Sequence, residues 1–294
     1  MNCIRSGSIL LVISAASAFG GAVSVNLGTA GSFAVLAGST VTNTGDTMID
    51  GNLGVSPGTA VTGFGPGLVT DGAIYSGLPA ATAAESDLLA GYNFAASEAC
   101  PGGNNLTGTD LGGLTLTPGV YCFSSTAAMT GTLTLNGLGD PNAVFLFQVL
   151  SALTVAGYSS VNLENGAEGA NVFWEVGSNA TLGTDAALQG DILAYGSISL
   201  NTGASLACGS ALAMNGAVTL DSNNVSACSA PEPGSGWLLG ASVLLGLIAG
   251  YSRRADPGCM RDARRTGTAV ARADTRNTNM EAPSSETSSV GVTP

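Results

Sequence analysis

The amino-acid sequence predicts a mainly β fold, a three-sided β-solenoid with one α-helix packed alongside. Three observations carry this. Short runs of alternating apolar and polar residues lie between Gly and Asn turns, the pattern of strands with one buried face. Those runs recur every 18 to 20 residues, which suits one turn of a three-sided coil. The composition, 45% hydrophobic with 43 Gly and only 10% charged, favours small side chains and many turns.

Taken in chain order, residues 1–22 read as a signal peptide. Met1 to Arg5 is a short basic region, Ile9 to Ile13 an apolar one, and Ala16-Ser17-Ala18 a small-residue cleavage site. The apolar run is too short for a membrane anchor, so the chain is expected to be exported. A single domain should then occupy residues 23–230. Its first rungs are Val41-Thr42 and Val61-Thr62, 20 residues apart. The segment Pro79 to Ala99 breaks the β pattern: Pro79 suits a first helical position, and Ala84, Leu88, Tyr92, Ala95 and Ala99 fall on one stripe. Such a helix would lie along one side of the solenoid.

Removal of the leader takes Cys3 with it and leaves Cys100, Cys122, Cys208 and Cys228 in the domain. An even count in an exported chain points to disulfides rather than thiolate metal sites. Three pairings are possible. The local ones, Cys100 with Cys122 and Cys208 with Cys228, are expected because each ties one excursion back to its neighbour.

From Thr130 the rungs continue as Thr132-Leu133-Thr134-Leu135, Ala152-Leu153-Thr154-Val155, Ala180-Thr181-Leu182, Ile198-Ser199-Leu200 and Val218-Thr219-Leu220. Leu133 to Leu153 is 20 residues, Leu182 to Leu200 is 18, Leu200 to Leu220 is 20, and Leu188 to Leu206 is 18. Two strongly apolar runs, Ala143 to Phe147 and Asn171 to Val176, read as strands buried on both faces, where the helix packs.

Near the end, Pro231-Glu232-Pro233 precedes the apolar run Gly236 to Tyr251, and Arg253-Arg254 follows it. Residues 231–254 resemble the PEP-CTERM sorting signal of Gram-negative bacteria. The run is marginal for a bilayer core that needs about 20 residues, and the arginine pair would hold its end in the cytoplasm. This resemblance implies transient membrane anchoring, cleavage by an exosortase near the Pro-Glu-Pro, and an association with exopolysaccharide. The polar residues 255–294 lack hydrophobic periodicity and read as a disordered tail.

Charge narrows the function. All eight cationic residues are arginines, there is no Lys or His, and residues 23–230 contain no cation but 14 Asp and Glu. Nothing there could neutralise a phosphate backbone, which excludes nucleic acid as a partner. Paired carboxylates of the kind glycosidases use are limited to Glu164 with Glu168 and Glu175 with Asp185, without a Lys or Arg to serve a lyase, so no enzyme is expected. Asp46 and Asp50 match no calcium-loop pattern, and no metal or cofactor is expected.

The runs Val25-Asn26-Leu27-Gly28-Thr29-Ala30-Gly31-Ser32-Phe33-Ala34-Val35-Leu36-Ala37-Gly38, Leu111-Gly112-Gly113-Leu114-Thr115-Leu116-Thr117-Pro118-Gly119-Val120-Tyr121 and Gly139-Asp140-Pro141-Asn142-Ala143-Val144-Phe145 are specific. With Asn171-Val172-Phe173-Trp174-Glu175-Val176 and Asn215-Gly216-Ala217-Val218-Thr219-Leu220-Asp221, they resemble the bacterial ice-binding protein family over roughly residues 25–225. The resemblance implies a discontinuous right-handed β-solenoid of triangular section, an α-helix alongside, and a flat outward face that adsorbs to ice.

Threonine suits such a face: its methyl group orders neighbouring water, its hydroxyl anchors it, and β-branching limits the entropy lost. The family's loose Thr-Ala/Gly-x-Thr/Asn signature matches Thr44-Gly45-Asp46-Thr47 and Thr59-Ala60-Val61-Thr62. Near matches are Thr202-Gly203-Ala204-Ser205 and Thr107-Gly108-Thr109-Asp110. The family architecture joins early and late rungs, which would bring Ser39, Thr40 and Thr42 beside Ser197 and Asn215. The expected partner is an ice crystal surface. The rival expectation is a cell-surface or biofilm-matrix adhesin without ice activity.

Overall fold

The computed structural model of the protein describes residues 22–228. Most of the expected signal peptide, the sorting segment with Pro231, Glu232, Pro233, Arg253 and Arg254, and the polar tail lie outside the described residues.

The chain winds through three parallel sheets, leaving one strand in each per coil. The first coil is β1 (Phe33–Ala37), β2 (Thr40–Thr44) and β3 (Met48–Asp50). The second is β4 (Asn52–Val55), β5 (Ala60–Thr62) and β6 (Leu68–Thr70), followed by β7 (Ile74–Ser76) and the helix α1 (Pro79–Ser97). The path resumes at the opposite end with β8 (Thr115–Leu116). Full coils follow: β9 (Gly119–Phe123), β10 (Ala127–Met129) and β11 (Thr132–Asn136), then β12 (Phe145–Val149), β13 (Leu153–Val155) and β14 (Ser160–Glu164). Next come β15 (Val172–Val176), β16 (Ala180–Leu182) and β17 (Ala187–Gln189), and β18 (Asp191–Ala194), β19 (Ile198–Leu200) and β20 (Ser205–Ala207). The last coil is β21 (Ala211–Ala213), β22 (Val218–Asp221) and β23 (Asn224–Ser226).

Sheet A runs β7-β4-β1-β21-β18-β15-β12-β9, sheet B β10-β13-β16-β19-β22-β2-β5, and sheet C β6-β3-β23-β20-β17-β14-β11-β8. The first coil therefore stands between the last coil and the second. In each strand alternate residues point inward, and in-register pairing sets like above like. Tyr121, Phe147 and Trp174 stack down the inner side of sheet A with ring centroids 5.5 and 4.1 Å apart. The row continues through Ile192, Ala211, Val35 and Leu53. The indole Nε1 of Trp174 donates to the Gln189 carbonyl at 3.0 Å, so burying the ring leaves no orphaned donor.

Sheet A is buried on both faces, which is why its strands are the apolar runs. Leu36, Leu146, Phe173, Leu193 and Leu212 point outward and pack against Ala81, Ala84, Leu88 and Ala95 of α1. The predicted stripe holds at Ala84, Leu88 and Ala95. Tyr92 is only half-buried and Ala99 is exposed beyond the helix end. Gly91 takes the inner position instead, because the segment ahead of β1 passes over it: a Cβ there would lie 3.0 Å from Leu27 Cδ2 and 3.2 Å from the Asn26 carbonyl. At the C-terminal end of the helix, Gln148 Nε2 donates to the carbonyls of Ala95 and Glu98 at 2.7 and 2.8 Å, satisfying groups that a helix terminus leaves open.

The repeat read from sequence is correct where the coils are short: Leu182 stacks on Leu200, Leu188 on Leu206 and Val41 on Val61. It is wrong for Leu133 and Leu153, which lie in different sheets. Leu133 stacks on Val161 and Leu153 on Ala180, because these coils carry extra turn residues. Both disulfides join the expected partners, Cys100–Cys122 with Cα atoms 6.2 Å apart and Cys208–Cys228 at 4.3 Å.

Candidate functional site

Sheet B owes its outer surface to a simple local pattern. Its strands place a small polar residue between two buried apolar ones, as in Leu153-Thr154-Val155, Ala180-Thr181-Leu182 and Val218-Thr219-Leu220. The parallel register then aligns these middle residues. Ala128 pairs with Thr154, Thr154 with Thr181, Thr181 with Ser199, Ser199 with Thr219, Thr219 with Thr42, and Thr42 with Thr62. The result is one file of hydroxyls across the sheet, each step about 4.8 Å as between hydrogen-bonded strands. Thr154, Thr219, Thr42 and Thr62 are exposed, Thr181 and Ser199 half-buried. No charged residue interrupts the file. Thr40 and Thr44 flank Thr42 on the same outer face, Thr40 beside Ala60 and Thr44 beside Asp221.

Of the residues singled out from sequence, Thr40, Thr42, Thr44 and Thr62 thus lie on this face. Ser39, Thr59, Ser197 and Asn215 lie at the corner where the chain passes from sheet A to sheet B, just before β2, β5, β19 and β22. That corner is held by its own hydrogen bonds. The Ser197 amide donates to Asn179 Oδ1 at 2.7 Å, the Ala217 amide to Ser197 Oγ at 3.1 Å, and Asn215 Nδ2 to the Tyr195 carbonyl at 3.2 Å. The coils approach so closely here that a Cβ on Gly58 would sit 1.8 Å from the Ser39 carbonyl oxygen.

Thr47 is a correction. It turns inward at the corner between sheets B and C and is fully buried. Its Oγ1 accepts from the Asn223 amide at 3.1 Å, so it staples the first coil to the last and cannot meet a ligand. The Thr44-Gly45-Asp46-Thr47 signature is therefore split between surface and core. Residues 202–205 start in a turn after β19 and end in β20 of sheet C, and the Thr107 hydroxyl is engaged with Ser124.

Sequence reasoning did not single out Thr154, Thr181, Ser199 and Thr219, which align on this face, though all four stand in runs recognised as rungs. The available signal was their place between inward-pointing residues. Only the strand order sets Thr219 against Thr42.

The other two faces differ. Sheet A is covered by α1. Sheet C mixes Thr132, Thr134, Ser160 and Asn162 with Glu164, Asp50 and the exposed apolar Met48 and Leu68. The carboxylate pair Glu175 and Asp185 is divided: Glu175 lies under α1, its carboxyl pushed up by burial against a lowering bond from the Tyr92 hydroxyl, while Asp185 lies in the turn between β16 and β17. A cavity of about 510 Å³ lies between the segment before β1 and the starts of the sheet A strands β15 and β18, lined among others by Asn26, Leu27, Asn171, Phe173 and Asp191. It is remote from the hydroxyl file. Among the described residues no cluster of three His, Cys, Asp or Glu is placed to hold a metal ion, and no helix is long and apolar enough to cross a membrane.

Comparison with known proteins gives a consistent result. The model of the ice-binding-like family matches residues 35–226. An ice-binding protein of Nostoc sp. (strain HG1) is 49% identical, over 85% of this chain and 96% of its own. The crystal structure of an ice-binding protein from an Antarctic biological consortium superposes with a TM-score of 0.67 at 42% identity, covering 70% of this chain and 92% of the other. An ice-binding protein from the Antarctic ascomycete Antarctomyces psychrotrophicus gives 0.67 at 39% identity, over 70% and 100%.

Proposed function

Because this chain belongs to the ice-binding-like family, we propose that it adsorbs to ice through the outer face of sheet B and so inhibits ice growth and recrystallisation. The observation that carries the choice of face is the register-locked file Thr154–Thr181–Ser199–Thr219–Thr42–Thr62. Stacked coils hold parallel strands nearly flat, so hydroxyl and methyl groups repeat at one spacing. β-branching already restricts the threonine rotamers, so little entropy is lost when water orders against them. No single contact is strong; adsorption is the sum of many small terms over a rigid plane. Molecules held on a growing crystal pin its front and curve the ice between them. No reaction is part of this role.

The finer reading rests on sequence. Residues 1–22 direct export and 23–230 form the mature domain. Residues 231–254 act as a sorting signal for an exosortase, with transient membrane anchoring and an exopolysaccharide neighbourhood, ahead of the polar tail 255–294. The out-of-order stack supports placing the domain among discontinuous solenoids.

The test uses the central file. Thr219→Tyr should lower thermal hysteresis and recrystallisation inhibition about tenfold or more, the equivalent of ~1.4 kcal/mol, with the melting temperature unchanged. Thr134→Tyr on sheet C should leave both activities intact. Equal loss from the two variants would displace the site from sheet B, and an inactive parent protein would leave the surface-scaffold reading in its place.

A further inference from the structure

The hydroxyl file has two unlike margins. Toward sheet A the surface continues through Thr40, Ser197, Asn215, Ser39 and Thr59, all uncharged and tied to the corner. Toward sheet C it meets Asp221, the last residue of β22, in register with Thr44. Among the described residues Asp221 is the only charged residue within a strand of sheet B. Alternation from the buried Leu220 turns its side chain outward. The carboxylate is fixed there: it accepts from the Thr202 hydroxyl and, at 3.3 Å, from Ser222 Oγ, while its own amide donates to Asn223 Oδ1 at 2.6 Å. The exposed Asp46 and Asp185 lie in the turns just beyond.

A hydroxyl or an amide both donates and accepts, as each water in ice does. An ionised carboxylate only accepts, so every water against it must point a hydrogen the same way. It also holds its hydration strongly. An ice-like layer can therefore run over serine, threonine and asparagine but is broken at Asp221.

Resting on the sheet B reading, we propose that Asp221 is a boundary residue: it ends the adsorbing plane on the sheet C side, so contact with ice extends from the hydroxyl file toward the Ser197 corner. Asp221→Asn keeps the shape and supplies a donor, and it should widen the plane.

The experiment measures thermal hysteresis against protein concentration for the full chain, Asp221→Asn, Asp221→Thr, Ser197→Tyr and Glu164→Gln, with a melting curve for each. Asp221→Asn should raise hysteresis at equal concentration by about twofold, the fold-change of ~0.4 kcal/mol. Asp221→Thr, which also replaces the carboxylate with a group that both donates and accepts, should give the same sign. Ser197→Tyr should lower activity, and Glu164→Gln, which removes a carboxylate on sheet C, should leave it unchanged. A folded Asp221→Asn with equal or lower activity, or an equal gain from Glu164→Gln, overturns the boundary while leaving the sheet B reading intact. An inactive parent chain overturns the sheet B reading itself, and the boundary with it.

Discussion

Glu85, a half-buried residue of α1, has one carboxylate oxygen enclosed without a partner, and burial pushes its carboxyl from 4.5 up to about 8. Glu175 is raised by the same cause, and Asp191 is pushed up to about 7 by burial against lowering bonds from Ser210. The unfolded chain releases these protons near pH 4 to 4.5, while the folded chain keeps them longer. Stability is therefore full below that range and falls as pH rises toward the folded values. Asp87 and Asp110 act oppositely. Bonds from Thr29 hold the first down, and bonds from Gly112 and Thr130 hold down the second despite some burial, so their contribution is lost in stronger acid. The protein should melt higher at pH 5 than at pH 8, and Glu85→Gln should narrow that gap by about 1 to 3 kcal/mol, the desolvation cost of one unsatisfied buried polar group. Thermal unfolding at both values checks this; an unchanged gap would sink it. At this scale the sequence was least legible. Thr44 and Thr47 stand in one four-residue signature, yet one faces water and the other the core, because the turn between β2 and β3 decides which way each points.

Elements were legible where their periodicity is local. The helix could be read because its start at Pro79 and its Ala84–Leu88–Ala95 stripe depend on neighbours within a few turns. The strands of sheet A could be read because covering both faces makes them continuously apolar. Their consequence is mutual support: α1 buries sheet A, and sheet A closes α1 through Gln148. Gln148→Ala removes both bonds to the Ala95 and Glu98 carbonyls and should cost about 1 to 2 kcal/mol. Melting temperature should fall while thermal hysteresis per folded molecule stays the same, since the hydroxyl file lies on another sheet. A parallel loss of activity would show that the helix shapes the adsorbing face.

For the whole molecule, the coil order was not visible in the residues themselves. The 18 to 20 residue spacing gives the short coils, but the longer ones hide it behind extra turn residues, and pairing of β1 with β21 joins segments far apart in sequence. That joint makes the first coil an interior one. Amides of β2, flanked by β22 and β5, should exchange as slowly as those of β19 and faster than neither neighbour, whereas the edge strand β5 should exchange first. Fast exchange of β2 together with β5 would mean that the early coils form a separate, weaker unit.

The same joint sets a timetable for assembly. The first two coils are synthesised before the others, yet the coil they must stack upon is the last of the coils to be made, so the stack cannot grow in step with the ribosome. Until the final coil arrives, its would-be neighbours wait with their edges open, and completion is a single late event that joins the two ends of the chain's history.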